Sequence, residues 1–325
     1  MKIDVVQHIL EAAGGRCVAV LGDLMLDEWI MGETSRISPE APVPVVRFSS
    51  RMTAPGGAAN VVMNLMSLGA KVSVIGVVGD DEGGRDLARE LLENGAQTDG
   101  IVRDESRCTT LKTRILAQRQ QMVRVDRETD SSLAEDIQHQ LQQQIEKRID
   151  EAEVLCVSDY DKGIASSGLV SWAIKLALSK GKKVSCGPKP HNLMAFEGAN
   201  FTSLNEKEAD LAAGFRLYDD QDVEKAGQQL REQIQCEALA ITRSAKGAML
   251  FEVDQESRSI SAHEVEVFDV AGAGDTFLAA ATLAILAGES YGNACELGNL
   301  AAAASVRHVG VVAMSQNDLL RVAER

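Results

Sequence analysis

The run Asp269-Val270-Ala271-Gly272-Ala273-Gly274-Asp275-Thr276 opens an apolar segment that reads as a helix over 273–286. Gly272 and Gly274 allow a tight turn and leave room for a ligand close to the backbone. The N–H groups at such a helix start lack intrahelical partners, and with the helix dipole they favour an anion. A carboxylate beside an anion site is an unusual placement. One task reconciles the two: Asp275 takes a proton from a substrate hydroxyl while the N–H groups hold a transferring phosphoryl group. The same spacing also serves a plain glycine-rich turn in which Asp275 caps the helix, and Gly-x-Gly alone does not separate the readings.

Other clusters gather at strand ends. Pro55-Gly56-Gly57-Ala58-Ala59-Asn60 sets two glycines at the entrance of a helix over 57–68, where Asn60 can hydrogen-bond hydroxyls from the first turn. Asp23, just past a strand over 17–21, can accept hydrogen bonds from two sugar hydroxyls, or simply serve its turn. Asn205-Glu206-Lys207-Glu208 follows a strand over 201–204. Asn205 and Glu208 lie one turn apart and can hold the water shell of Mg²⁺, form a capping box, or do both. Thr242-Arg243-Ser244-Ala245-Lys246-Gly247 ends another strand and can approach nucleotide phosphates, although polar turns often look the same. In Asp159-Tyr160-Asp161-Lys162-Gly163, Lys162 can act with Arg114, Arg119 or Lys189 to neutralise a phosphate already on the substrate. A solvated surface lysine is the plainer alternative.

The chain contains no zinc-type His/Cys spacing, no G-x-S-x-G elbow, no G-x-x-x-x-G-K-[ST] loop and no G-x-G-x-x-G after the first strand. Metalloprotease, α/β-hydrolase, P-loop and dinucleotide readings all lack their defining parts.

The elements that must carry these residues alternate. Strand-like runs at 17–21, 71–78, 154–157, 183–186, 201–204 and 238–242 are separated by helical patterns, among them 57–68, 82–94, 133–149, 168–178 and 223–233. Two further helices follow at 273–286 and 292–306. Such alternation predicts a mainly parallel sheet with helices on both faces, with ligands beyond the carboxyl ends of its strands. Two segments depart from it: 41–48 is extended and proline-punctuated, and 109–125 has strand composition with Gln and Arg in its middle, as a hairpin would. They are expected to form a small β lid, over about 28–52 and 108–127, on a single domain spanning 1–325. The fold class is α/β.

Of 325 residues, 45% are hydrophobic and 25% charged, which excludes a disordered or fibrous chain. The 33 basic and 48 acidic residues leave a net charge of −15, which disfavours nonspecific adhesion to nucleic acid or anionic lipid. A local basic pocket for a phosphorylated metabolite is still allowed. The six cysteines are isolated from one another, as reduced thiols would be. The amino terminus lacks a signal-peptide core, and the longest apolar stretch, 276–287, is too short to span a bilayer. A cytoplasmic protein is expected.

Gly56-Gly57-Ala58-Ala59-Asn60 early and Gly272-Ala273-Gly274-Asp275 late resemble the two signatures of the ribokinase (PfkB-type) carbohydrate kinases. Gly76-Val77-Val78-Gly79-Asp80 and Asn205-x-x-Glu208 extend the likeness over nearly the whole chain. A narrower resemblance, to the D-glycero-β-D-manno-heptose 7-phosphate kinases of ADP-heptose biosynthesis, is carried by three stretches. They are Gly22-Asp23-Leu24-Met25-Leu26-Asp27, the string Thr34-Ser35-Arg36-Ile37-Ser38-Pro39-Glu40-Ala41-Pro42-Val43-Pro44-Val45, and Ser158-Asp159-Tyr160-Asp161-Lys162-Gly163.

The resemblance implies a central α/β sheet with a β lid and ATP- and Mg²⁺-dependent phosphorylation of an anomeric hydroxyl. Asp275 would be the base, with the N–H groups of Ala273, Gly274 and Asp275 as the anion hole. The stretches 205–208 and 242–247, with Asn299, would line the nucleotide side, and Asp23, Gly56, Gly57, Asn60 and Lys162 would face the sugar phosphate. Bifunctional relatives carry a nucleotidyltransferase domain after the kinase; with the chain stopping at Arg325, only the kinase step is expected. A homodimer through the lid is also expected, because exposed strand edges pair readily. Three positions depart from the family pattern: Gly187-Pro188-Lys189 in place of Asp-Pro-Lys, Ser244 in place of a glycine, and Ala271 in place of a threonine. They keep two alternatives open, a kinase for another sugar or sugar phosphate and a sugar- or nucleotide-binding regulator with impaired catalysis.

Overall fold

The computed structural model describes residues 1–118, 120–165 and 168–324. Its strands are β1 (Cys17–Gly22), β2 (Leu24–Ile37), β3 (Pro44–Gly57), β4 (Lys71–Gly79), β5 (Gln97–Asp104), β6 (Thr110–Ala117), β7 (Gln120–Arg127), β8 (Val154–Ser158), β9 (Lys183–Gly187), β10 (Phe201–Asn205), β11 (Ala238–Thr242), β12 (Ala248–Glu252) and β13 (Arg258–Ile260). The helices are α1 (Ile3–Ala13), α2 (Ala58–Ser67), α3 (Glu82–Glu93), α4 (Glu135–Glu151), α5 (Leu169–Ser179), α6 (Glu206–Ala213), α7 (Asp220–Ile234), α8 (Ala273–Ala287), α9 (Tyr291–Ser305) and α10 (Gln316–Ala323).

Among the described residues the main sheet has nine strands in the order β13-β12-β11-β10-β9-β8-β1-β4-β5. The pairings from β11 across to β5 are all parallel, and β12 and β13 add an antiparallel edge. The central strands are apolar throughout because both of their faces are covered. One apolar layer packs α1, α2, α8 and α9 against the sheet, another packs α4 and α5, and a third lies under α6 and α7. Helix α8 is buried on every side from Asp275 to Leu286, so it runs through the interior and only its amino end meets a cavity.

The strand order positions the chemistry. From β1 the chain builds outward through β4 to β5; from β8 it builds the other way. The reversal lies between β1 and β8, where Gly22 is the register partner of Ser158. Crevices form at such reversals, outside the strand carboxyl ends. Asp23 and Asp159 therefore leave the sheet side by side.

A second sheet has the order β3-β2-β6-β7. Strands β2 and β3 form a long antiparallel hairpin, and β6 runs parallel to β2 while pairing with β7 as a hairpin. The base of the long hairpin is buried at Leu24–Trp29 and Pro55–Gly57, whereas its outer half and all of β7 are exposed. This is the small β lid, and its strands start deeper in the molecule than the sequence suggests. The sequence reading does not include β2 before residue 28, β5, β12, β13, α1 or α10. Strand β2 escapes it because Asp27 and Glu28 interrupt an otherwise apolar run; both are buried polar residues.

Candidate active site

The amino end of α8 is shaped by Gly272, whose φ of +76° lies in the left-handed region. A Cβ there would stand 2.8 Å from Asn60 Nδ2, so glycine is needed for space as well as for conformation. A Cβ on Gly274 would meet nothing within 4 Å, since that residue lies on the cavity wall. The Ala273 N–H turns back to the Val270 carbonyl at 3.3 Å, which removes it from the expected anion hole. The N–H groups of Gly274 and Asp275 have no backbone partner among the described residues and remain for a ligand.

Asp275, only 7% exposed, has both carboxyl oxygens occupied. Oδ1 accepts from the Tyr160 hydroxyl at 2.6 Å and Oδ2 from Asn60 Nδ2 at 3.0 Å. Burial pushes its pKa up to about 6, against the pull of those two hydrogen bonds and of the nearby Lys189 charge. The Asn60 amide is itself oriented: Asn64 Nδ2 donates to its Oδ1 at 2.9 Å, and the Met314 N–H donates to Asn64 Oδ1 at 3.0 Å. The sequence reading gives Asn60 to sugar hydroxyls. In the structure its amide holds Asp275 instead.

The cavity before α8 is lined by Asp159, Tyr160, Gly187, Lys189, Asn205, Glu208, Thr242, Gly272, Gly274 and Asp275, among others. Residues from the carboxyl ends of β8, β9, β10 and β11 thus converge on one helix terminus. Lys189 Nζ pairs with Glu208 Oε1 at 2.6 Å, and its backbone N–H donates to Asp159 Oδ2 at 2.9 Å. Glu208 Oε2 accepts from the Asn205 N–H at 3.0 Å while Asn205 Oδ1 accepts from the Glu208 N–H at 2.9 Å, a complete capping box at the start of α6. Both oxygens of Glu208 are therefore engaged, though a carboxylate has about four lone-pair sites. No cluster of three or more metal-binding side chains exists among the described residues. Asn205 and Glu208 fit a hydrated Mg²⁺, which keeps most of its waters and takes one or two carboxylates with substrate phosphates.

At the carboxyl end of β1, Asp23 is 6% exposed. Its carboxyl accepts from the N–H groups of Tyr160 at 2.8 Å, Lys162 at 3.1 Å and Ile164 at 3.3 Å. It pins the 160–164 loop, and burial pushes its pKa up to about 6 against those bonds. Lys162 is not a free charge: its ammonium pairs with Glu128 at 3.0 Å and Asp130 at 2.9 Å. Arg114 pairs with Asp27 at 2.6 Å and lies over the Trp29 ring. A Cβ on Gly56 would collide with Asp27 Oδ2, and one on Gly57 (φ +55°) would stand 2.8 Å from the Asp23 carbonyl. Those two glycines let β3 pass close to the site. Arg119 lies outside the described residues.

Of the 242–247 stretch, among the described residues, only Thr242 lines the cavity. Arg243 is buried between Glu206 (3.5 Å) and Asp220, which leaves it no charge for phosphates. Glu206 is thereby committed as well, and Lys207 is exposed. Ser244 is exposed with a left-handed φ of +51°, where the family pattern has glycine. Gly247 is buried, with no room for a Cβ beside the Ile260 carbonyl. Asn299 donates to the Ser261 carbonyl at 2.7 Å and is not among the cavity-lining residues.

Two residues at the site escape the sequence reading. Tyr160 is named only as part of a motif, although an aromatic residue just past a buried strand at the sheet reversal was available as a signal. Lys112 is not named at all; the alternation of β6 places it with Thr110 and Arg114 on one face.

The chain matches the pfkB family carbohydrate kinases over residues 16–318. Among curated relatives, the "Bifunctional protein HldE" of Helicobacter hepaticus is 40% identical over 304 residues, covering 94% of this chain and 63% of that protein. The HldE of Desulfatibacillum aliphaticivorans is 38% identical over 302 residues, covering 93% and 62%. The chain thus spans a little under two thirds of the length of these relatives. Phosphofructokinase-2 from Escherichia coli superposes with a TM-score of 0.80 at 19% identity, over 95% of this chain and 98% of that one. Arabidopsis thaliana ribokinase, complexed with ribose and ATP, gives 0.72 at 17%, over 96% and 99%. These structures share the fold. The chain belongs to the pfkB family of carbohydrate kinases, phosphotransferases with an alcohol group as acceptor.

Proposed function

We propose that the protein phosphorylates the anomeric hydroxyl of D-glycero-β-D-manno-heptose 7-phosphate at the expense of ATP, giving the 1,7-bisphosphate, a step towards ADP-heptose. The observation that carries the reading is the buried Asp275 carboxyl beside the unpartnered N–H groups of Gly274 and Asp275 at the start of α8. The similarity to HldE proteins and the 34–45 string support the heptose phosphate as acceptor.

In this reading the substrate hydroxyl displaces Tyr160 from, or shares with it, Asp275 Oδ1. As the anomeric oxygen bonds to the γ-phosphorus of ATP, its proton passes to Asp275 and the bond from phosphorus to the bridging β–γ oxygen breaks, releasing ADP. The two N–H groups face the charge that builds on the transferring group, and the helix dipole adds to them. Asn60 holds the base in line. When bound, Mg²⁺ supplies charge neutralisation on the phosphate oxygens; Asn205 and Glu208 would hold it through water. We further propose residues 1–325 as one kinase domain with lid segments at 28–52 and 108–127, a homodimer formed through the lid, and a cytoplasmic site of action. No helix among the described residues is long and apolar enough to cross a membrane.

The test is ADP release with heptose 7-phosphate beside fructose 6-phosphate and ribose, on wild type and Asp275→Asn. A positioned general base is worth about 10²–10⁴-fold, so the variant should bind substrates with little turnover. Near-normal kcat in the variant removes Asp275 as the base. Faster turnover of fructose 6-phosphate or ribose would redirect the substrate.

A further inference from the structure

Among the described residues the cations around the site are, with one exception, already matched by carboxylates: Lys189 by Glu208, Arg114 by Asp27, Arg107 by Asp104, and Lys162 by Glu128 and Asp130. Lys112 is the exception. Among the described residues its ammonium makes no ion pair and no side-chain hydrogen bond; it lies 5.7 Å from the centroid of the Tyr160 ring. The residue is half-buried in the lid sheet, and burial holds its pKa below the ordinary lysine value. Asp27, Asp126 and Glu128 face this ammonium, with Asp126 its cross-strand partner, but none of them stands within ion-pair distance, so its hydrogen-bonding capacity is left for an incoming anion.

The same ring says which part of a substrate would bring that anion. Tyr160 meets Lys112 at its face and Asp275 at its hydroxyl, so ammonium and carboxyl stand one aromatic ring apart. That span suits a pyranose with its exocyclic carbons, and it is too long for a phosphoryl group being transferred at Asp275. Lys189 is the cation nearer the transfer point; it lines the cavity and lies 4.8 Å from the same ring. A substrate whose accepting hydroxyl meets Asp275 therefore carries its far substituent towards Lys112. Arg114, two residues on along β6, extends the positive edge but is held by Asp27.

We propose that Lys112 reads the phosphate the acceptor already bears and so makes the enzyme select a sugar monophosphate over the free sugar. The inference rests on the sugar-phosphate reading above, but it concerns how the acceptor is chosen, not the chemistry at Asp275.

The experiment compares wild type, Lys112→Met and Lys112→Arg by calorimetric titration and steady-state kinetics with heptose 7-phosphate and unphosphorylated heptose. Loss of one charge-assisted contact is expected to weaken binding of the phosphorylated sugar about 10- to 100-fold. KM should rise accordingly, with kcat within about 3-fold, and affinity for the free sugar should be unchanged. Lys112→Arg should recover most of the loss, which a folding defect would not allow. The inference is overturned if kcat collapses at constant KM, if both sugars weaken equally, or if Lys162→Met is the variant that loses the discrimination. If wild type prefers another sugar monophosphate to the heptose, the heptose assignment fails and that sugar phosphate with its free sugar takes the same test. A wild type indifferent to the phosphate overturns the role of Lys112 even where the kinase reaction stands.

Discussion

The Tyr160 hydroxyl donates a 2.6 Å hydrogen bond to Asp275 Oδ1 across 115 residues of sequence. Burial and the neighbouring Asp275 charge hold the phenol pKa well above its ordinary value, so Tyr160 stays a donor. A hydrogen bond to the charged form of an acid favours that form. Replacing Tyr160 with Phe should therefore raise the Asp275 pKa and move the acid limb of kcat/KM, expected near pH 6 in wild type, to higher pH. Activity lost at pH 7 should return in part by pH 8.5. A pH–rate profile in which the limb stays put would show that the phenol does not tune the carboxyl.

Asp275 also sets a stability cost with a defined pH window. Its folded pKa of about 6 is above the ordinary 3.8, so between those values the folded state binds more protons than the unfolded state. Stability is present in full below about pH 4 and is given up as pH rises to about 6. Asp275→Asn removes the charge. It should melt higher than wild type at pH 7.5, by about 3 °C, and the difference should shrink at pH 4. Scanning fluorimetry at the two pH values checks this, and an equal increment at both would contradict it.

The two glycines at the start of α8 should separate folding from chemistry. Gly272→Ala places a Cβ against Asn60 Nδ2 in a left-handed conformation. It should cost roughly 1–2 kcal/mol of stability and at least about tenfold in kcat as Asn60 leaves Asp275. Gly274→Ala meets open space within a helix, so it should melt no lower than wild type yet lose turnover, because the new methyl group stands where the phosphoryl group must approach. Chemical denaturation and kcat on both variants decide it. Equal destabilisation would mean that the wall position of Gly274 is misjudged.

Gly187 sits on the same cavity wall, with room for a Cβ 3.1 Å from the Leu278 Cδ2 methyl, the movable end of a side chain. Gly187→Asp should fold, and it would set a third oxygen donor near Asn205 and Glu208. The Mg²⁺ concentration for half-maximal rate should fall, by about 3- to 10-fold, and chelation of the metal should abolish turnover in both proteins. An unchanged Mg²⁺ requirement in the variant would place the metal elsewhere.

What the sequence made legible follows from how each residue acts. Strands such as β1 and β8, covered on both faces, must be apolar from end to end, and they read plainly. Edge strands β5 and β13 carry polar side chains, and β2 hides two buried acids, Asp27 and Glu28, whose partners Arg114, Arg51 and Thr113 lie far along the chain. The glycines of both clusters were visible because backbone geometry leaves few substitutes at those turns. Charges were harder. Arg243 and Lys162 look like phosphate ligands in a linear reading, yet each is matched by carboxylates that only the tertiary structure brings near. Lys112 was passed over for the converse reason: nothing in its neighbours along β6 says that it alone goes unmatched.

The amide relay from Met314 through Asn64 and Asn60 to Asp275 joins parts of the chain far apart in sequence. The group at the far end of the relay is a main-chain N–H 250 positions downstream of the Asn64 side chain it bonds. The carboxyl receives the Asn60 amide directly, and that amide is in turn aligned through Asn64 where the segment around residue 314 lies against α2. The alignment of Asp275 therefore depends on the tertiary docking of a segment remote from it in sequence, and loss of that docking should loosen the carboxyl without removing it.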